Sequence, residues 1–132
     1  MKLHEIFAIA RANHACADQL EAAEKHTTLE ALLADPRAPQ WAYWLRRYCL
    51  DLPADVARQA EQVAIQSPEW AYCLRYHCRD LPEAIARQAE QVAIRSPELA
   101  YCLWMYCLDL PADVIAQIAE IERKKTGNVD LS

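Results

Sequence analysis

The residues of this sequence best suited to metal binding or nucleophilic chemistry are its four histidines and six cysteines. Cys73 and His77 lie one helical turn apart and Cys78 follows, so a helix would bring a thiol and an imidazole onto one face. A structural zinc site needs four ligands, commonly in close cysteine pairs. His77 is replaced by Tyr48 and Tyr106 at the equivalent positions of the repeat described below. We therefore predict no metal ion and no other cofactor.

Catalytic residues are not indicated either. His4, His14 and His26 have no nucleophile motif beside them. Three aspartates each begin an Asp-Leu-Pro triplet, at Asp51, Asp80 and Asp109. Aspartate in this position is typical of turns, and an active site is rarely present three times in one chain. We predict that the protein is not an enzyme.

These residues belong to a sequence repeat with a period of 29 residues. The copies are residues 38–66, 67–95 and 96–124, and the first two share 19 of 29 positions. A period between about 20 and 50 residues is typical of stacked repeat architectures. The repeat is preceded by residues 1–37, which do not match it and which we interpret as an N-terminal cap, and is followed by a tail, 125–132.

The fold class predicted from composition is all-α, because the chain has a single glycine and is rich in good helix formers. We expect an α-solenoid of helix-turn-helix repeats with an N-terminal helical cap, forming a single domain over residues 1–132. In the cap, helices are predicted at 2–13, 14–25 and from Thr27 to Ala34, with Thr27 and Glu30 forming a capping box.

Each copy is predicted to contain two helices. In the second copy, Ser67 is the expected N-cap of a helix that runs to Cys78, and Pro82 is expected to start a helix that runs to Arg95. At 100° per residue, the inward side of the first helix includes Leu74 and His77. The inward side of the second helix holds Ile85, Ala86, Ala89, Val92 and Ala93, with Arg87, Glu90 and Gln91 outward.

The outward side of the first helix of each copy is the predicted partner-binding surface. Tyrosine, arginine, tryptophan and methionine are enriched where proteins bind proteins. Packing between repeats is the alternative interpretation of the same side chains. The set is Tyr43, Arg46, Arg47, Tyr72, Arg75, Tyr76, Arg79, Tyr101, Trp104, Met105 and Leu108.

The third copy is unusually apolar for a terminal repeat, whose outer face is normally polar. Arg75, Tyr76 and Arg79 become Trp104, Met105 and Leu108, and on the following helix Ile115 and Ile118 stand in place of alanines. An apolar patch at the end of an array should be covered. A second copy of the chain, another protein and the tail are the candidates for covering it, and self-association or a partner is preferred.

Charge and hydropathy exclude several classes of protein. Net charge is −5, and the first two copies are neutral, so no basic stripe for a phosphate backbone is present and nucleic-acid binding is not expected. The chain has neither an apolar leader nor a membrane-spanning stretch, so we expect a cytoplasmic protein. The repeated cysteines are interpreted as small buried apolar residues in a reducing compartment.

The unit SPEWAYCLRYHCRDLPEA resembles short helical repeats in small proteins of bacteriophages and prophages. The segment HACADQLEAAEKHTTLEALLADPRAPQWAYWL is similar to one that precedes a Trp-x-x-Trp-Leu unit in such proteins, here Trp41 to Leu45. The chain departs from the pattern at Cys73, Cys78 and Leu99. The resemblance implies a helical array of phage or mobile-element origin and no known activity.

These observations predict a non-catalytic protein-binding module. The resemblance sharpens this to a phage-encoded inhibitor of a host protein, such as an anti-CRISPR protein, that occludes a surface in the host cytoplasm. The alternatives are a structural homo-oligomer, for example a homodimer built through the third copy, and a nucleic-acid-binding repeat protein.

Overall fold

The computed structural model describes residues 2–126, and within them the chain is entirely α-helical, with nine helices and no strand. The all-α fold class is therefore confirmed. The helices are α1 (Leu3–Ala12), α2 (Ala17–Glu24), α3 (Leu29–Ala34), α4 (Ala38–Tyr48), α5 (Ala54–Ala64), α6 (Pro68–His77), α7 (Glu83–Ala93), α8 (Pro97–Tyr106) and α9 (Ala112–Thr126).

The helices divide into two compact units, Met1–Ala64 and Ile65–Ser132, which we call the first and the second unit. The first unit contains α1 to α5 and the second contains α6 to α9. The single domain expected over residues 1–132 stays a prediction.

In the first unit, two helix starts differ from the sequence prediction. His14 has a positive φ of 62°, which ends the α1 turn and delays the start of α2 to Ala17. The cap of α3 is Thr28, one residue later than predicted, and its hydroxyl accepts a hydrogen bond from the Ala31 amide at 3.1 Å. Helix α3 packs on α4, and α4 packs along α5.

Asp35 closes the last turn before α4. Its carboxylate accepts hydrogen bonds from the Arg37 amide at 2.8 Å and from the Arg37 guanidinium, and it faces the His26 ring at 3.0 Å. The Arg37 side chain and amide hold the pKa of Asp35 well below its usual range. The ionised carboxylate thus fixes the chain between α3 and α4.

In the second unit, two helix pairs pack together. Helix α6 lies along α7 and α8 lies along α9, while both α6 and α7 contact α8. Ser67 and Ser96 precede prolines at the starts of α6 and α8, as predicted, although neither hydroxyl forms a capping bond. Pro82 is the N-cap of α7 and lies just outside the helix, one position from its predicted place. Leu74 and Leu103 are fully buried.

The predicted inward side of α7 is confirmed for Ile85, Ala86, Ala89 and Ala93, which are buried. Two assignments are wrong. His77 was predicted inward and is exposed, because it is the last residue of α6. Glu90 was predicted outward and is completely buried.

No helix among the described residues is long and apolar enough to cross a membrane. The longest, α9, has 15 residues, whereas a spanning helix needs about 20 apolar ones.

Candidate binding surface

A buried ion network explains why Glu90 lies in the interior of the second unit. Its carboxylate accepts hydrogen bonds from Arg75 on α6 at 2.7 Å and from Arg87, one turn away on α7, at 2.8 Å. The Glu90 side chain is 0% exposed and that of Arg75 is 14% exposed. The network therefore joins the two helices of the second copy.

The first unit contains the same network 29 residues earlier. Glu61 is 0% exposed and accepts from Arg46 on α4 at 2.6 Å and from Arg58 on α5 at 2.7 Å. The outward orientation predicted for Arg46 is thus wrong, because pairing with Glu61 buries its guanidinium. Tyr43 is also buried rather than outward, and its hydroxyl accepts a hydrogen bond from Arg47 at 2.7 Å.

The third copy has lost all three members of this network together. The positions of the two arginines and the glutamate hold Trp104, Ala116 and Ala119. A buried charge left without its partner is strongly unfavourable, whereas apolar replacement of a whole ion network is often neutral or stabilising. The joint replacement leaves α8 and α9 with an apolar outer side.

Besides Tyr106, whose ring faces Tyr76, five large apolar side chains of the third copy are exposed, at between 42% and 73% of their surface. We call them the terminal patch: Tyr101, Trp104, Met105, Leu108 and Ile115. The exposure predicted for the third copy is confirmed for these residues. It is wrong for Ile118, which is buried although it lies one turn from the exposed Ile115 on α9.

On α6 of the second copy, the residues equivalent to Tyr101, Trp104 and Met105 lie against the third copy. Arg75 Nη2 donates a hydrogen bond to the Leu108 carbonyl at 2.6 Å, and the Tyr76 ring lies 6.3 Å from the Tyr106 ring. Burial, with Cys107 nearby, raises the pKa of Tyr72 to about 12. Tyr72, Arg75 and Tyr76 thus all lie close to residues of the third copy, and Tyr76 is at the same time 39% exposed.

The other predicted binding residues differ in how far they are exposed. Arg79 is exposed. Arg47 is half-buried, with its guanidinium 4.8 Å from the centre of the Tyr48 ring, a cation–π arrangement. At the end of α9, the Lys125 ammonium lies 6.0 Å from the Tyr101 ring at the edge of the terminal patch. The rest of the predicted tail, 127–132, lies outside the described residues.

The first unit contains an apolar cavity of about 820 Å³ between the cap helices and α4–α5. Helix α1 has no buried residue, so the cap covers α4 and α5 loosely. The Trp41 indole is fixed at the wall by a hydrogen bond from Nε1 to Gln19 Oε1 at 2.8 Å. Aromatic and aliphatic residues dominate the lining, among them Ile6, Phe7, Leu20, Leu32, Trp41, Trp44 and Tyr48.

The cysteines of this chain differ in their burial. Cys49, Cys78 and Cys107 are buried, as the repeat predicted, whereas Cys16 is exposed. Desolvation raises the pKa of Cys107 to about 11, which keeps it a neutral thiol. Within residues 2–126 no three side chains of the ligating types gather in a group that could hold a metal ion.

The sequence-based prediction missed the four residues that complete the ion networks. They are Arg58, Glu61, Arg87 and Glu90. A signal was available, because an arginine and a glutamate recur 15 positions apart in the first two copies and disappear together from the third. Amphipathicity alone places a glutamate in water and hides this relation.

Comparison with protein-family models, with curated proteins and with solved structures finds nothing that matches this chain.

Proposed function

We propose that this protein is a non-catalytic protein-binding module: an α-solenoid of 29-residue helix pairs behind an N-terminal cap, whose terminal patch binds another protein. The observation that carries the proposal is the exposure of the terminal patch on α8 and α9. Isolated exposed apolar residues are ordinary, but a contiguous set of large ones indicates an interaction surface.

The composition of the patch supports a protein partner. Tryptophan and tyrosine provide the largest contact area with few rotatable bonds, and methionine adapts to irregular surfaces. The patch also coincides with the loss of Glu90 and its two arginines from the third copy. Trp104, which stands in place of Arg75, is a member of the patch, so the replacement has added a large apolar side chain to a surface that water solvates poorly.

The partner that the phage resemblance implies is a host protein, and the sharpest form of the proposal is an inhibitor of a host defence complex such as CRISPR machinery. Such a module would act in the host cytoplasm by covering a functional surface of its target. It needs no catalytic residue, because occlusion depends only on affinity and position.

The second candidate function is a structural homo-oligomer built through the terminal patch, and the same exposed side chains favour it. Nucleic-acid binding is the third candidate, and it requires an affinity that falls steeply with salt. Patch-driven association should change little or strengthen as salt rises, because it depends on apolar burial.

The test compares the wild-type chain with the double variant Trp104→Glu/Met105→Glu. Tagged chains are used to capture proteins from a bacterial lysate. The mass of each purified chain in solution is measured by light scattering. We expect the double variant to keep its helical circular dichroism and to lose its captured protein. The control is Ala84→Glu, which adds a carboxylate at an exposed position of α7. Equal capture and equal mass for all three chains would show that the patch binds neither another protein nor a second copy.

A further inference from the structure

We propose that the terminal patch binds a second copy of this chain, and that the patch of one copy docks head-to-tail into the apolar cavity in the first unit of the next. This inference rests on the proposed function, because it names the partner of the same patch. Three observations carry it. The second and third copies pack against each other in the second unit, the corresponding packing side of the third copy is exposed, and the corresponding receiving side of the first copy is only partly covered.

The interface inside the second unit defines the two surfaces. The donor surface is formed by Tyr72, Arg75 and Tyr76 on α6, and the receiving surface lies at the end of α8. There the Leu108 carbonyl accepts from Arg75 and the Tyr106 ring faces Tyr76. Cys102 and Cys107 lie near Tyr72 and help to raise its pKa.

The 29-residue register identifies the same receiving surface in the first copy. The residues equivalent to Cys102, Tyr106 and Cys107 are Trp44, Tyr48 and Cys49. All three line the cavity of about 820 Å³. The cap helices therefore leave open part of the surface that, in the third copy, receives another helix pair.

The register also identifies the free donor surface. Tyr72, Arg75 and Tyr76 correspond to Tyr101, Trp104 and Met105, which are exposed members of the terminal patch. The chain thus carries an open donor surface on the third copy and an incompletely covered receiving surface on the first. A second copy of the chain supplies the match for each.

The chemistry of the two surfaces agrees. Phe7, Trp41 and Leu45 give the cavity an apolar wall. An arginine entering such a cavity would need a buried counterion, as Arg75 needs Glu90. Trp104 carries no charge, so it can enter without one. The volume of the cavity lies within the roughly 300–1,000 Å³ typical of sites that enclose a ligand. The cavity can therefore accept the indole of Trp104 and the neighbouring thioether of Met105.

The test uses two kinds of variant that each remove one surface. Trp104→Glu/Met105→Glu removes the donor surface. Tyr48→Glu places a carboxylate in the cavity, and because Tyr48 is 53% exposed, the fold should tolerate the change. Ala10→Trp is a second cavity variant, which fills the space with an indole instead of a charge. Circular dichroism checks that every chain is folded, and Ala84→Glu is the control.

Masses are measured by light scattering up to about 200 µM, a concentration at which contacts with micromolar Kd are nearly saturated. We expect the wild type and the control to form species that grow with concentration, because a head-to-tail contact can repeat. Each variant alone should stay monomeric. An equimolar mixture of the donor variant and either cavity variant should form a 1:1 dimer, since one intact surface of each type remains.

Two results would overturn the inference. A wild-type chain that stays monomeric at this concentration shows that the patch does not bind its own chain. Cavity variants that associate as the wild type does show that the patch meets something other than the cavity. Neither result removes the proposed function, which fails only if the donor variant captures the same protein from a lysate as the wild type.

Discussion

The sharpest prediction concerns the buried Glu90. We propose to compare the single variant Glu90→Leu with the double variant Arg75→Met/Glu90→Leu. The single variant leaves the guanidinium of Arg75, which is 14% exposed, without its carboxylate. The double variant replaces both buried charges with apolar side chains, as Trp104 and Ala119 do in the third copy.

Removing one partner of a buried ion pair typically destabilises a protein by about 3–5 kcal/mol. We expect about 3 kcal/mol for Glu90→Leu, the lower end, because Arg75 keeps the Leu108 carbonyl as an acceptor and Arg87 can reach water. The double variant should lie within about 1 kcal/mol of the wild type. It loses the hydrogen bond to Leu108 but no longer buries an unpaired charge.

Urea unfolding followed by circular dichroism measures both changes. With a slope of about 2 kcal/mol/M, a loss of 3 kcal/mol lowers the unfolding midpoint by roughly 1.5 M. Arg87→Met is the matched control, since its side chain is 38% exposed and should change stability by less than about 1 kcal/mol. Equal destabilisation of the single and double variants would refute the reasoning, because the unpaired guanidinium would then carry no penalty.

Three further predictions follow from other parts of the molecule. The triple variant Trp104→Arg/Ala116→Arg/Ala119→Glu rebuilds the ion network in the third copy. It should abolish partner capture in a pull-down and self-association in light scattering, without lowering the urea midpoint. The pKa of Asp35 is depressed in the folded protein, so the ionised carboxylate stabilises the fold above its ordinary pKa of 3.8, and this contribution is lost as pH falls through the folded value. Asp35→Asn should therefore lower the urea midpoint at pH 7, and the difference from wild type should shrink with acidification. Iodoacetamide at pH 8 should label the exposed Cys16 rapidly and Cys107, with its pKa of about 11, only after denaturation, as peptide mass spectrometry would show. An acid-insensitive difference at Asp35, or equal labelling of the two thiols, would contradict these assignments.

The helical content of this chain could be predicted from the sequence because local signals agree with the fold. A single glycine, Ser-Pro helix starts and the alanine-rich inward side of α7 all point to paired helices. The exposure of Trp104 and Met105 could also be predicted from the sequence. The change from polar to apolar side chains in the third copy is visible by comparison with the second copy.

The interior positions of Glu61 and Glu90 could not be predicted from periodicity. An amphipathic pattern treats each helix alone and assigns every carboxylate to solvent. The buried position of Glu90 depends on an arginine 15 residues earlier on a different helix. The small departure at His14 has a local cause, because one residue in the left-handed region moves a helix boundary by a few positions. Thr28 has extended backbone and caps α3 one residue later than predicted.

The central claim is that the terminal patch is a protein-binding surface, and photo-crosslinking tests it most directly. A photoreactive phenylalanine derivative is placed at position 104 in one chain and at position 84, on the exposed side of α7, in another. Irradiation of expressing cells should give a crosslinked protein band from position 104 and none from position 84; by the head-to-tail inference, that band contains a second copy attached at the first unit. No crosslink from position 104, or the same bands from both positions, would contradict the account.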